Sequence, residues 1–181
     1  EGKCLLVAGD KNHPEVQGIV GHTRGEVFVF ADLAELQAWD GPKMTKNGLF
    51  VVAQTTFQVT KWLECAEFLK KVYTNAELFD TICSATWTRQ QEAEDLSQRC
   101  DLMVVIGGHH SSNTQKLVKV AARHTRAVSV ETADELRPEW FSGVRRVGVT
   151  AGASTPSSII EEVLNRMSEE IRDEMSFAEM L

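Results

Sequence analysis

An α/β fold built as two similar lobes, each a parallel sheet flanked by helices, is predicted by three features of this sequence. The first is a set of short apolar runs, Leu5–Ala8, Leu49–Ala53, Leu102–Ile106 and Val147–Thr150. Runs this short and rich in β-branched residues fill strands covered on both faces. The second is that each run gives way to a polar turn and then to a helical pattern, the alternation that yields parallel sheets. The third is the content of those turns, which repeatedly hold small, hydroxyl-bearing or ionisable residues. Open parallel sheets bind ligands beyond the carboxyl ends of their strands, so the repetition marks a site.

The chain opens inside its first strand, Lys3-Cys4-Leu5-Leu6-Val7-Ala8, an abrupt start that reads as part of a larger protein. Pro14 then suits the first position of a helix, with His13 as its N-cap. Glu15 falls in the first turn, where the helix dipole favours a carboxylate. On position alone His13 reads equally as a surface cap and Glu15 as a simple dipole match. Gly18, Gly21 and Gly25 weaken that helix and let the chain turn into a strand over Glu26–Phe30. Leu33–Trp39 is a short helix stopped by Asp40-Gly41-Pro42. Beyond Leu49–Ala53, Gln54-Thr55-Thr56 leads into a helix over Val59–Tyr73 whose buried stripe is Val59, Trp62, Leu63, Ala66, Leu69 and Val72-Tyr73.

Asn75–Asp80 reads as a boundary, giving lobes over residues 1–80 and 81–167. The second lobe holds a polar helix (Thr88–Arg99), the Leu102 strand with its helix, and a strand over Ala127–Val130. A connector at Arg137–Phe141 and the Val147 strand follow, and Thr155-Pro156 starts the last helix by the same cap-then-proline grammar. Ile159, Ile160, Val163, Leu164, Met167 and Ile171 keep helical spacing there. Residues 168–181 turn acidic and read as a solvated tail or linker.

Composition narrows the function. With 181 residues, 43% hydrophobic and 25% charged, the chain has room for one large α/β domain or two small lobes. A net charge of −7 argues against a nucleic-acid surface, so an anionic ligand must be bound by local donors. No apolar run approaches a membrane span and no signal-peptide pattern opens the chain, so the expected location is the cytoplasm. The four cysteines, at 4, 65, 83 and 100, show no C-x-x-C spacing and so no local zinc site. Cys4, Cys65 and Cys100 fit buried structural thiols, whereas Cys83 lies beside the polar turn Ser84-Ala85-Thr86.

The stretch Leu102–Gln115 is the most informative. A strand that passes through Gly107-Gly108 into a helix aims unpaired backbone N–H groups at one point. Ser111, Ser112 and Asn113 add hydroxyls and an amide, so the point suits an anion such as phosphate, or, more plainly, an ordinary helix cap.

His13-Pro14-Glu15-Val16-Gln17-Gly18, Gln54-Thr55-Thr56, Thr81-Ile82-Cys83-Ser84-Ala85-Thr86 with Arg89-Gln90, Ser111-Ser112-Asn113 and Val147–Ser154 occur in one order. Together they resemble the LytB-type iron–sulfur family, the 4-hydroxy-3-methylbut-2-enyl diphosphate reductases of the non-mevalonate isoprenoid pathway, from Lys3 to about Met167. The resemblance implies reductive removal of an allylic hydroxyl, giving isopentenyl and dimethylallyl diphosphate. It implies a 4Fe-4S cluster held by three cysteines, with Cys83 as one ligand, and an electron donor such as ferredoxin or flavodoxin. It assigns diphosphate binding to His13, Ser111, Ser112, Asn113 and Ser154, proton relay to Glu15, and the substrate hydroxyl to Thr56. The family has three lobes, and the first, with two cluster cysteines and another histidine, has no counterpart here. Cys4 stands too close to the His13 motif to replace either. His109-His110 is a local variation before the serines, and Met175–Leu181 is similar to segments that lead into fused RNA-binding repeats.

A second reading is a catalytically silent diphosphate-binding fragment or module with a partner-binding tail, for which iron content is the discriminating measurement. A nucleotide-binding doubly wound domain is disfavoured, because neither G-x-G-x-x-G nor G-x-x-x-x-G-K-[ST] is present.

Overall fold

The computed structural model describes residues 3–41 and 48–178, with side chains to residue 171 in the last helix. Two units divide the chain, residues 1–84 and 85–181, each an α/β layer structure on a parallel sheet.

In the first unit the strands are β1 (Cys4–Ala8), β2 (Val27–Phe30), β3 (Leu49–Ala53) and β4 (Ala76–Phe79), in the order β2-β1-β3-β4. All pairings are parallel, with Ala8 opposite both Phe30 and Ala53, so the carboxyl ends of β1, β2 and β3 lie level. Helices α1 (Pro14–His22), α2 (Leu33–Ala38) and α3 (Val59–Val72) connect them. Leu6, Val7, Leu49 and Val51 are buried in the two central strands. Helix α3 buries Val59, Trp62, Cys65, Ala66 and Leu69, a stripe of alternating three- and four-residue steps. Leu63 and Val72, expected on that stripe, are 51% and 52% exposed because they fall to its flanks.

The segment Asn75–Asp80, expected as a lobe boundary, is instead occupied by β4. Its polar reading arises because an edge strand pairs on one side and buries only alternate residues, as Ala76, Glu77, Leu78 and Phe79 do. The chain divides between Ser84 and Ala85, so Cys83, expected in the second lobe, belongs to the first unit. Thr81 accounts for this: Ala53 N–H donates to its hydroxyl at 2.9 Å, and the hydroxyl donates to the Ala53 carbonyl. These bonds tie the chain after β4 to the end of β3.

The second unit has strands β5 (Leu102–Ile106), β6 (Arg126–Val130) and β7 (Val147–Ala151), ordered β6-β5-β7 and all parallel. Helices α4 (Ser84–Ser97), α5 (Ser112–Ala121) and α6 (Ser157–Ala178) complete it. Every residue of the central strand β5 is buried, as its unbroken apolar run predicts. Leu102, Val104 and Ile106 pack with Val163 and Met167 of α6, while Val105 packs with Leu117 and Val120 of α5. The Ser84-Ala85-Thr86 turn is the first turn of α4, and the Arg137–Phe141 connector carries a 3-10 turn whose Trp140 and Phe141 join the core.

Residues 168–178, expected as an acidic tail, continue α6 without a break, and 179–181 lie outside the described residues. Arg166 Nε pairs with Glu170 at 3.0 Å, while Ile171 packs on the core. Leu164 is 41% exposed, the flank of its stripe. No helix among the described residues is long and apolar enough to cross a membrane.

Candidate functional site

In the first unit the loops after β1 and β3 carry the polar groups. Gly9 is required where they meet, because a Cβ there would lie 2.7 Å from Val16 Cγ2. The chain then turns on Asp10, whose carboxylate accepts from Asn12 N–H at 2.9 Å and whose carbonyl accepts from His13 N–H at 2.9 Å. His13 caps α1: its Nδ1 accepts from Glu15 N–H at 3.2 Å. That bond leaves Nε2 as the ring's donor in the neutral imidazole.

Glu15 is held by Thr55, which gives it two bonds, from its backbone N–H at 2.8 Å and its hydroxyl at 2.9 Å. The Thr55 carbonyl in turn accepts from Cys83 N–H at 2.9 Å. One residue thus joins the expected proton-relay acid to the expected cluster ligand. The sequence reading singled out Thr56 rather than Thr55; Thr56 Oγ1 accepts from Gln54 Nε2 at 3.1 Å. Gln54, named from sequence as part of a motif but given no role, is fully buried, and its Oε1 also accepts from Asp10 N–H at 3.2 Å. Its amide pins the two loops together.

In the second unit the loops after β5 and β7 close on each other. Gly107 has φ +150°, and a Cβ there would lie 2.6 Å from Thr114 Oγ1 and 2.9 Å from Thr155 Oγ1. A Cβ at Gly152 would lie 2.8 Å from the same Thr114 hydroxyl. Thr155 fixes its loop by donating to the Ile106 carbonyl at 3.1 Å, and Arg89 Nη1 donates to the Ala151 carbonyl at 3.2 Å. Ser111 is the N-cap of α5, its Oγ accepting from Thr114 N–H at 3.4 Å. Ser112 and Asn113 open the helix, and Ser154 lies with Gly107 and Gly108 on a cavity of about 370 Å³.

Asn113 is 7% exposed and Thr114 2% exposed, yet both amide atoms of Asn113 and the Thr114 hydroxyl lack a hydrogen-bond partner. A buried polar group left this way costs about 1–3 kcal/mol, so three at one helix N-terminus identify a place built for a polar ligand. Donors and helix dipole there favour an anion. Sequence reading found Asn113 but passed over Thr114, whose only signal was a hydroxyl one residue further into the helix.

A 4Fe-4S cluster fits these residues at one corner. Cys83 is exposed at the start of α4 and beside Thr55. Cys4 and Cys65 are buried, and burial together with Glu64 and Asp32 pushes the Cys65 thiol up to about 11. Among the described residues no cysteine belongs to a group of three metal-ligating side chains. Cys83 is thus the exposed thiol that a cluster could reach.

The sequence profile of the LytB protein family matches residues 1–168. The 4-hydroxy-3-methylbut-2-enyl diphosphate reductase of Geobacter metallireducens is 48% identical over 173 residues, covering 93% of this chain and 58% of the relative. Its counterpart from Nautilia profundicola is 37% identical over 170 residues, covering 93% and 60%. Among solved structures, the E-1-hydroxy-2-methyl-but-2-enyl-4-diphosphate reductase of Plasmodium falciparum matches with a TM-score of 0.81 at 28% identity, covering 90% of this chain and 51% of that one. The structure of (E)-4-hydroxy-3-methyl-but-2-enyl diphosphate reductase, described as the terminal enzyme of the non-mevalonate pathway, matches at 37% identity with a TM-score of 0.51. The chain spans about three-fifths of the length of these curated relatives. With the family profile matched over nearly its whole length, the chain belongs to the LytB family.

Proposed function

We propose that the intact protein reductively removes the allylic hydroxyl of 4-hydroxy-3-methylbut-2-enyl diphosphate, giving isopentenyl and dimethylallyl diphosphate. The observation that carries this reading is the Glu15–Thr55–Cys83 connection, a carboxylate and a hydroxyl joined to an exposed cysteine by 2.8–2.9 Å hydrogen bonds. Similarity to relatives named as this reductase supports it.

Cys83 would serve as one cluster ligand, and the cluster, when bound, supplies the two electrons of the reduction. Glu15 would take up a proton during turnover and pass it on through the Thr55 hydroxyl, with which it shares a hydrogen bond. That proton leaves with the substrate hydroxyl as water, and a second proton, taken up from solvent, joins the two electrons at the allylic carbon to form the new C–H bond. His13 Nε2–H donates to a phosphate oxygen. Asn113 Nδ2, the Thr114 hydroxyl, Ser111, Ser112 and Ser154 supply further donors to the diphosphate, supported by the unpartnered atoms at the start of α5. Binding energy from the diphosphate orients the distant allylic carbon. A small one-electron carrier of the ferredoxin or flavodoxin class delivers the electrons.

Anaerobic turnover of the intact protein with a reduced low-potential donor tests the reading, with products separated by mass spectrometry. Formation of both diphosphate products is expected. Diphosphate binding without turnover in iron-replete protein would sink the reductase reading and leave a silent diphosphate-binding module.

A further inference from the structure

Beyond β5 and β6, three side chains converge that the reduction leaves unused. His109 follows the Gly107-Gly108 turn, Glu131 follows β6, and Glu135 ends the 3-10 turn at residues 133–135. One donor atom from each lies within 4.8 Å of the others. His109 Nε2 is 2.8 Å from Glu135 Oε2 and 3.9 Å from Glu131 Oε2.

His109 and Glu135 are also held by neighbouring groups. Glu131 N–H donates to Glu135 Oε2 at 3.1 Å, and Gln115 Nε2 donates to the His109 carbonyl at 2.8 Å. His109 Nδ1 is 3.5 Å from the Ser129 hydroxyl. Without an ion, Nε2–H donates to Glu135; a cation would displace that proton and take the Nε2 lone pair, with Nδ1–H then facing the Ser129 hydroxyl as in metal-binding histidines.

Charge argues the same way. Glu131, Asp134 and Glu135 surround the imidazole, while Arg137 on the same cavity wall lies over the Trp140 ring, 5.7 Å from its centroid. Among the described residues, the ion pairs of Glu131 and Glu135 are both with His109. Two cavities, of about 380 and 370 Å³, meet at Glu135 and leave room for water to complete a coordination shell. The cluster also lies at the carboxyl ends of adjacent parallel strands, where such sheets bind ligands.

We infer that His109, Glu131 and Glu135 bind a first-row divalent cation through one imidazole nitrogen and two carboxylate oxygens. Bonds of about 2.0–2.2 Å at tetrahedral angles would hold these atoms roughly 3.4 Å apart, so the 2.8 Å pair would widen and the 3.9 Å pair would close. One nitrogen and two oxygens with open positions suit Mn²⁺, Fe²⁺ or Zn²⁺, whereas Mg²⁺ and Ca²⁺ favour oxygen alone.

Mn²⁺ is the probe, because it is a poor ligand for the thiolates of the intact protein. Loss of the free Mn²⁺ resonance on titration should give one site per chain, with spin-echo modulation from a coordinated imidazole ¹⁴N. His109→Ala and Glu135→Gln should each weaken binding about tenfold or more, the scale for losing a ligand or its support. His109→Lys keeps a cation against Glu135 and so preserves a plain ion pair, but should lose the ¹⁴N signal and the tight site. His110→Ala, one residue away and exposed, should bind as the parent does. Absence of a Mn²⁺ site, or equal binding by His109→Lys, would overturn the inference and leave an ion pair only. The readout is metal uptake rather than turnover, so it stands or falls separately from the reductase reading.

Discussion

Glu15→Gln in the intact protein isolates the proposed proton relay from its scaffold. The carboxylate accepts from Thr55 N–H at 2.8 Å and from the Thr55 hydroxyl at 2.9 Å. In the glutamine variant Oε1 still accepts from the backbone N–H, and the hydroxyl can turn to accept from Nε2 instead. Both bonds survive in number, so the change removes charge assistance rather than leaving a group unpaired, a difference of about 1 kcal/mol. KM should therefore move less than about tenfold. Proton transfer is lost outright, and general acid catalysis is worth 10²-fold or more, about 2.7 kcal/mol of barrier for two decades. Steady-state turnover under a saturating reduced donor measures both constants. A kcat within threefold of the parent would refute the reasoning, and Glu15 would then be only a helix-dipole residue.

Other perturbations follow from the same contacts. Thr55→Val removes the hydroxyl but keeps the backbone bonds to Glu15 and Cys83, so kcat should fall while iron content stays at the parent level. Thr114→Val removes a buried hydroxyl without a partner; it should raise the unfolding free energy of ligand-free protein by about 1 kcal/mol in urea titrations and weaken inorganic diphosphate binding in calorimetry. Gly107→Ala forces a side chain into φ +150° and to 2.6 Å from Thr114 Oγ1, and should lower stability by about 2 kcal/mol or more. In cluster-free protein Cys83 should be alkylated first. Cys65, with its thiol raised to about 11, stays protonated at neutral pH, and its labelling rate should climb as pH rises toward that value.

The central strands were legible because burial on both faces writes an unbroken apolar run, as in Leu102–Ile106. Strand β4 was not, because Ala-Glu-Leu-Phe at a sheet edge alternates like an amphipathic connector. The acidic end of α6 concealed a helix for a related reason: Ile171, which packs on the core, is diluted in the sequence by acidic neighbours. The residues gathered at the loops, His13, Glu15, Ser111 and Asn113, could be named from motif order and cap grammar. Which of two adjacent threonines turns toward Glu15 depends on the dihedrals of a short turn, and no periodicity encodes that. Cys83 was assigned to the wrong lobe because its tether is a side-chain bond from Thr81 to Ala53, invisible to any pattern of hydropathy. Nor could spacing reveal that His109 would meet Glu135, twenty-six residues away.

Thr55 divides labour between main chain and side chain. Its N–H fixes Glu15 and its carbonyl fixes Cys83, and neither bond depends on the residue's identity. Position is thus encoded in the backbone, while the capacity to pass a proton is encoded in one hydroxyl. Substitutions at residue 55 that leave the backbone path intact explore reactivity without disturbing the scaffold, so the loop can be retuned chemically at little architectural risk.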